Sequence, residues 1–297
     1  MSNNEEFEQT TSDNQEVSLR TAHLLERFMK IERPFHNECP IPGMGMAVHC
    51  LGNAVKRCES PLDDIVVISG VQCTSWVANH VKVDSFHTTV GRAIPFSTGM
   101  KLANPKLKII VLGVDQDLFS LGGSHFINAA RRNVDITVIC VNNYDYNLGV
   151  EQPLADSNDE EEGKTPSAGS YNRLFNLPFL AEMAGAVYVA RWTALHIRKV
   201  TDSILDSLNK KGFSFIEILV PCSNNFENDL EGLTHQLKRY YEKCVIQHGA
   251  NTKEADIGLT EEIRIGRFVD RERLTYHRKM VEWYKNKLGD KYRPDEG

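Results

Sequence analysis

No stretch of this 297-residue sequence approaches the roughly 18–20 consecutive apolar residues that a bilayer-crossing helix needs. No lysine- or arginine-rich run stands out either, and the net charge is −6. A dedicated nucleic-acid binder needs a clustered phosphate-neutralising patch, so that class is set aside. The opening MSNNEEFEQTTSDNQEVS is acidic and polar, unlike a secretory signal or a transit peptide. These absences predict a soluble, cytoplasmic protein that engages neither membrane nor nucleic acid. There is no CxxC pair, and the spacing of the seven cysteines is too irregular for a zinc ribbon. In an unexported chain those thiols are expected to stay reduced. A cysteine with no further signal is read as a small buried apolar side chain. No internal repeat is present. With 41% hydrophobic and 25% charged residues, collagenous, coiled-coil and wholly disordered classes also drop out.

Short β-branched runs punctuate the chain: Ile65–Ser69 (IVVIS), Ile109–Leu112 (IIVL), Ile136–Val141 (ITVICV) and Phe215–Val220 (FIEILV). Continuous apolar runs of this length suit strands buried on both faces of a parallel sheet. Between them lie helix-like segments such as Ser124–Arg132 and Thr201–Asn209, the second with Thr201 as an N-cap signal. Strand–helix alternation predicts an α/β fold with a central, mostly parallel sheet flanked by helices. Residues 1–18 read as a solvated tail, residues 19–226 as the α/β domain, and residues 227–297 as a charged, helical C-terminal extension packing on the domain or a partner subunit. The stretch 156–163 (DSNDEEEG) reads as an exposed acidic loop.

Ligands of parallel sheets bind at the carboxyl ends of strands. Asp115 follows one predicted strand, and the pair Asn142-Asn143 follows the next. Strand ends converge, so a carboxylate and an amide oxygen can meet there on a hard cation. Mg²⁺ takes about six oxygen ligands and usually keeps diphosphate oxygens among them.

This stretch resembles the thiamine-diphosphate motif, GDG followed by about 25–30 residues and NN. The triplet here is Val114-Asp115-Gln116, and residues 117–141 separate it from Asn142-Asn143. More narrowly, the chain resembles the β subunits of 2-oxoacid:ferredoxin oxidoreductases. Five further pieces match in order: SGVQC (69–73), FHTTVGRAIPFSTGMKLANP (86–105), GGSHFINAARRN (122–133), GFSFIEILVPC (212–222) and IGRFVDRERLTY (265–276).

The resemblance implies the thiamine-diphosphate-binding fold. Asp115 would ligate Mg²⁺ through its carboxylate, Asn143 through its side-chain oxygen and Asp145 through its backbone carbonyl. Val71, Gln72, Cys73, Thr74, Gln116, Asp117, Asn147, Leu148 and Gly149 would line thiamine diphosphate. The implied reaction is CoA-dependent oxidative decarboxylation of a 2-oxoacid, with electrons passing through a [4Fe–4S] cluster to ferredoxin. The implied partner is an α subunit, with γ and δ subunits in some assemblies. The activating glutamate would lie on that α subunit, so no acid–base residue is assigned to this chain, and activity requires the partner.

Several positions depart from the family pattern. Of four cluster cysteines, Cys39, Cys73 and Cys222 are present, while Pro42 stands where the fourth is expected. Iron–sulfur clusters are normally held by four thiolates, and proline cannot ligate. This leaves a cluster with a fourth ligand such as His36, Met44 or His49, a three-iron or labile cluster, or no cluster. Val114 and Gln116 replace both glycines of GDG. Val90-Gly91-Arg92 replaces HGR, and Val150 replaces a lysine that in some members faces the substrate carboxylate. Asp145, Asn147 and Glu151 add polar groups nearby. Substrate choice is therefore expected to differ from that of the common 2-oxoglutarate and pyruvate enzymes. Two further readings stay open: a non-redox thiamine-dependent 2-oxoacid decarboxylase, and a catalytically degenerate paralogue acting as a structural or regulatory subunit.

Overall fold

The computed structural model describes residues 28–30, 42–143, 175–220, 238, 240–257 and 262–293, with backbone alone for 42 and 43. Its strands are β1 (Ile65–Ser69), β2 (Asp84–His87), β3 (Lys108–Val114), β4 (Thr137–Asn142), β5 (Tyr188–Thr193), β6 (Ser214–Leu219), β7 (Cys244–Ile246) and β8 (Ile263–Asp270). They form one sheet in the order β2-β1-β3-β4-β6-β5-β8-β7. The six strands from β2 to β5 in that order run parallel. β8 closes the edge of β5 in the antiparallel sense and carries β7 parallel beside it.

Every residue of β1, β4, β5 and β6 is buried, which is why their sequences read as apolar runs without alternation. Alternate side chains nevertheless enter different layers. Val67, Leu112, Ile139, Ile216 and Ile218 pack on one side with α1 (Pro42–Arg57), the short α2 (Val77–His80) and α6 (Ile197–Asn209). Val66, Val111, Val138 and Phe215 pack on the other with α3 (Ala93–Ala103), α4 (Gly123–Arg132) and α5 (Leu177–Ala184). The result is a three-layer α/β/α sandwich with a core on each face of the sheet.

Local chemistry sets several boundaries. α1 begins at Pro42, where a missing N–H is no loss and a fixed φ suits the first turn. α5 is capped by the Asn176 side chain, which accepts from Phe179 N–H, and it ends at Gly185 with φ +101°. α4 ends at Asn133 in the left-handed region. The Asn133 amide also ties two loops to the helix, accepting from Phe213 N–H at 2.9 Å and donating to the Arg273 and Leu274 carbonyls.

The structure differs from the sequence expectation in two places. Thr201 does not cap α6, which starts four residues earlier at Ile197. Its hydroxyl donates instead to the Ile197 carbonyl, a bond within the helix that leaves no local signal of where the helix begins. The C-terminal extension is helical in α7 (Tyr276–Leu288), but it also supplies β7 and β8 to the main sheet. β8 alternates buried and exposed positions irregularly, so it lacks the continuous apolar run that marks the central strands. The tail 1–18, the acidic loop 156–163 and the boundary at 226 lie outside the described residues.

Chain order and strand order together define a crevice. From β1 the chain passes to β2 on one side and then to β3 on the other. The connections diverge at the carboxyl ends of β1 and β3, the position at which open parallel sheets bind ligands.

Candidate active site

The β1 side of the crevice is a tight turn. Gln72 sits at φ +67°, an uncommon conformation for a residue with a side chain. It opens a 3₁₀ turn over Gln72–Thr74. Gln72 is exposed, Val71 and Cys73 are half-buried, and Thr74 is buried with its hydroxyl donating to the Val71 carbonyl at 3.2 Å. Gly91, after β2, has φ +69°. Val90 and Arg92 on either side of it are exposed.

Beyond β3 the chain enters a π-helical turn, Gln116–Leu121, a rare wide coil that is frequent at functional sites. Asp115 begins it and is fully buried. Val114 points into the apolar layer shared with α1 and α6, which accounts for a side chain being tolerated there. Gln116 is 1% exposed, and neither amide atom has a hydrogen-bond partner among the described residues. A buried carboxamide without partners is costly unless a ligand satisfies it.

Asp117 is equally buried and reaches back across the crevice. Its Oδ1 accepts from Gly91 N–H at 2.5 Å, and its Oδ2 accepts from Val71 N–H at 3.3 Å. Burial pushes its carboxyl above the ordinary range, and the two backbone donors only partly oppose that. Gly70 is required here, because a Cβ would collide with Asp117 Oδ2.

β4 ends beside this turn. Asn143 is 4% exposed, and its backbone N–H donates to Asp115 Oδ1 at 3.3 Å. The two residues named from the motif spacing are thus neighbours across adjacent strand ends. Asn142 turns the other way. Its Nδ2 donates at 2.6 Å to Glu217 Oε1 in β6, and Glu217 Oε2 accepts from Arg191 Nε in β5, also at 2.6 Å. Both charged side chains are fully buried, and Arg191 also donates to the Ala255 carbonyl. A charge inside each of the runs FIEILV and YVARWT is the signal that could have singled out Glu217 and Arg191 from sequence.

Asp145, Asn147, Leu148, Gly149, Val150 and Glu151 lie outside the described residues, as do Cys39, Cys222 and His36. Met44 is buried within α1, and His49 is half-buried there. Among the described residues, no group of three or more His, Cys, Asp or Glu side chains is placed to hold a metal. No helix among them is long and apolar enough to cross a membrane.

The open parallel sheet thus brings a buried aspartate, a buried glutamine and Asn143 to one strand-end crevice. Residues 69–218 match the family described as thiamine pyrophosphate enzyme, C-terminal TPP binding domain. The chain is 35% identical over 249 residues to the 2-oxoglutarate synthase subunit KorB of Methanothermobacter marburgensis, covering 83% of this chain and 87% of that one. It is 34% identical over 219 residues to the 2-oxoacid:ferredoxin oxidoreductase subunit beta of Saccharolobus solfataricus, covering 73% and 69%. A solved structure shares the fold: the 2-oxoglutarate:ferredoxin oxidoreductase from Magnetococcus marinus with 2-oxoglutarate, coenzyme A and succinyl-CoA bound. Its TM-score is 0.69 at 20% identity, covering 91% of this chain and 96% of that chain. The chain belongs to the β subunits of the 2-oxoacid:ferredoxin oxidoreductase family.

Proposed function

We propose that this chain binds thiamine diphosphate with Mg²⁺ and, together with an α subunit, carries out CoA-dependent oxidative decarboxylation of a 2-oxoacid. Electrons would leave through an iron–sulfur cluster to ferredoxin. The observation that carries this reading is the buried Asp115 carboxylate facing the Asn143 backbone, beside a buried Gln116 amide that has no hydrogen-bond partner among the described residues. Oxygen donors of this kind suit Mg²⁺, and an unsatisfied buried carboxamide suits a polar cofactor.

When bound, thiamine diphosphate supplies the electron sink that lets a 2-oxoacid lose CO2. Asp115 would hold Mg²⁺ through a carboxylate oxygen, with Asn143 contributing its side-chain oxygen and Asp145 its carbonyl. Gln116 would offer its amide where the family's glycine offers close backbone approach. Val71, Gln72, Cys73 and Thr74 form the turn on the β1 side, while Asn147, Leu148 and Gly149 follow the asparagine pair. Cys39, Cys73 and Cys222 would supply three thiolates to the cluster. Val150 stands where some family members place a substrate-facing lysine, so the substrate is a 2-oxoacid whose carboxylate is met by another group.

The test is anaerobic purification of the chain with its co-expressed partner, then quantification of thiamine diphosphate, magnesium, iron and sulfide in one sample. The proposal expects the cofactor together with iron and sulfide at about three to four per chain. Cofactor without iron would identify a non-redox decarboxylase, and neither would identify a non-catalytic subunit. In the same complex, Asp115→Ala is expected to weaken Mg²⁺-dependent cofactor binding by about tenfold or more while the circular dichroism spectrum shows the fold intact. Unchanged affinity in a titration would remove Asp115 from the metal site.

A further inference from the structure

A fully buried ion pair is a poor device for stability alone. Desolvation of two charges offsets most of their attraction, and apolar pairs of similar volume often serve as well. Arg191 and Glu217 are nevertheless both fully buried near the middle of strands whose every residue is buried. The sheet register sets Cys140 of β4, Glu217 of β6 and Arg191 of β5 side by side in one row. Asn142 is two residues beyond Cys140, hence on the same face. Its amide reaches back to the Glu217 carboxylate.

Both oxygens of that carboxylate are engaged, one by Arg191 Nε and the other by Asn142 Nδ2. Arg191 is anchored in turn on the Ala255 carbonyl. The Asn142 carbonyl accepts from Val220 N–H at 2.8 Å, so this residue is fixed through side chain and backbone together. The next residue, Asn143, is the one whose N–H meets Asp115.

We propose that Glu217 is a positioning residue for the cofactor site, with Arg191 neutralising its buried charge: the Glu217 carboxylate locks Asn142, and the locked end of β4 sets Asn143 against Asp115. The two asparagines thereby have separate tasks, the first binding the chain to the interior of the sheet and the second facing the crevice. Glu217 acts on the crevice through Asn142, and Arg191 through Glu217. This inference rests on the reading of the crevice as a thiamine diphosphate–Mg²⁺ site.

Two double variants, each prepared as the complex with the partner subunit, separate positioning from simple packing. Arg191→Met with Glu217→Gln removes both charges but keeps a carbonyl oxygen to accept from Asn142. Arg191→Met with Glu217→Leu removes the charges and the acceptor. Affinity for Mg²⁺–thiamine diphosphate is measured by calorimetry and the melting temperature by scanning. The Gln variant is expected to bind within about threefold of wild type, and the Leu variant about tenfold or more weaker, the scale on which partners that orient metal ligands act. Equal affinities in the two variants, whatever their melting temperatures, would overturn the inference. Should the Leu variant not fold, Asn142→Ala leaves the ion pair in place and carries the same decision: weakened binding supports positioning, and unchanged binding overturns it. A wild-type complex that fails to bind the cofactor at all would instead overturn the reading of the site.

Discussion

Asp117 shows how much one side chain can hold at the crevice. Its carboxylate takes an N–H from the turn after β1 and another from the turn after β2, while its own backbone belongs to the π-helical turn after β3. Three chain segments are thereby joined at one buried group. Unusual backbone conformations persist where surrounding structure over-determines them, and Gln72 and Gly91, both at positive φ, flank these contacts. Burial raises the Asp117 pKa from its ordinary value of 3.8. A carboxyl with a higher pKa in the folded state binds its proton more tightly there, so its contribution to stability falls as pH rises from the unfolded to the folded value. Asp117→Asn removes that titration. The melting-temperature difference, wild type minus variant, is therefore expected to grow as pH is lowered toward 3.8 from the raised folded value. A difference that stays flat across that interval would show that Asp117 does not titrate as its burial requires.

At the scale of elements, α4 is fixed to the sheet by an aromatic cluster. Phe126 is fully buried, with ring centroids 4.7 Å from Phe119, 5.1 Å from Phe213 and 5.2 Å from Phe215. Tilted and edge-on arrangements of this kind add to the apolar area they remove from water. The cluster joins α4, the segment before β6, β6 itself and the π-helical turn that presents Asp115. Phe126→Ala is expected to destabilise the fold by about 3–5 kcal/mol, since the surrounding strands cannot collapse into the space. Denaturant unfolding followed by circular dichroism measures this, and a loss below about 1 kcal/mol would contradict the packing. Gln116 and Asp117, in the same turn as Phe119, make the crevice sensitive to the same change.

For the whole molecule, the C-terminal segment divides into an essential part and a dispensable one. β8 covers the edge of β5, whose residues are all buried. An uncovered edge of that kind invites pairing with other chains. Removing residues from 262 onward is expected to give aggregated material in size-exclusion chromatography. α7, by contrast, has no buried residue. Truncation after His277 keeps Thr275 and Tyr276 and is expected to shift the melting temperature by less than about 2 °C, equivalent to roughly 1 kcal/mol. A soluble, monodisperse product from the first truncation would show that β8 is not needed to close the sheet.

The sequence by itself determined the central strands and two residues of the crevice. A strand buried on both faces must be apolar throughout, so IVVIS, IIVL, ITVICV and FIEILV announced β1, β3, β4 and β6. The separation of Asp115 from Asn143 reflects one strand–helix–strand unit, and a unit of fixed length brings its ends together locally. Tertiary structure decided what depends on distant partners. The start of α6 and the place of β8 have no strong local signal: a threonine inside a helix and one at its cap read alike, and an edge strand need not be apolar. The opposite orientations of Asn142 and Asn143 follow from register across β4, β6 and β5, which sets Glu217 and Arg191 beneath the first asparagine. Side-chain direction in a sheet is fixed by pairing, and pairing between residues 77 positions apart, such as Cys140 and Glu217, is settled when the whole sheet assembles.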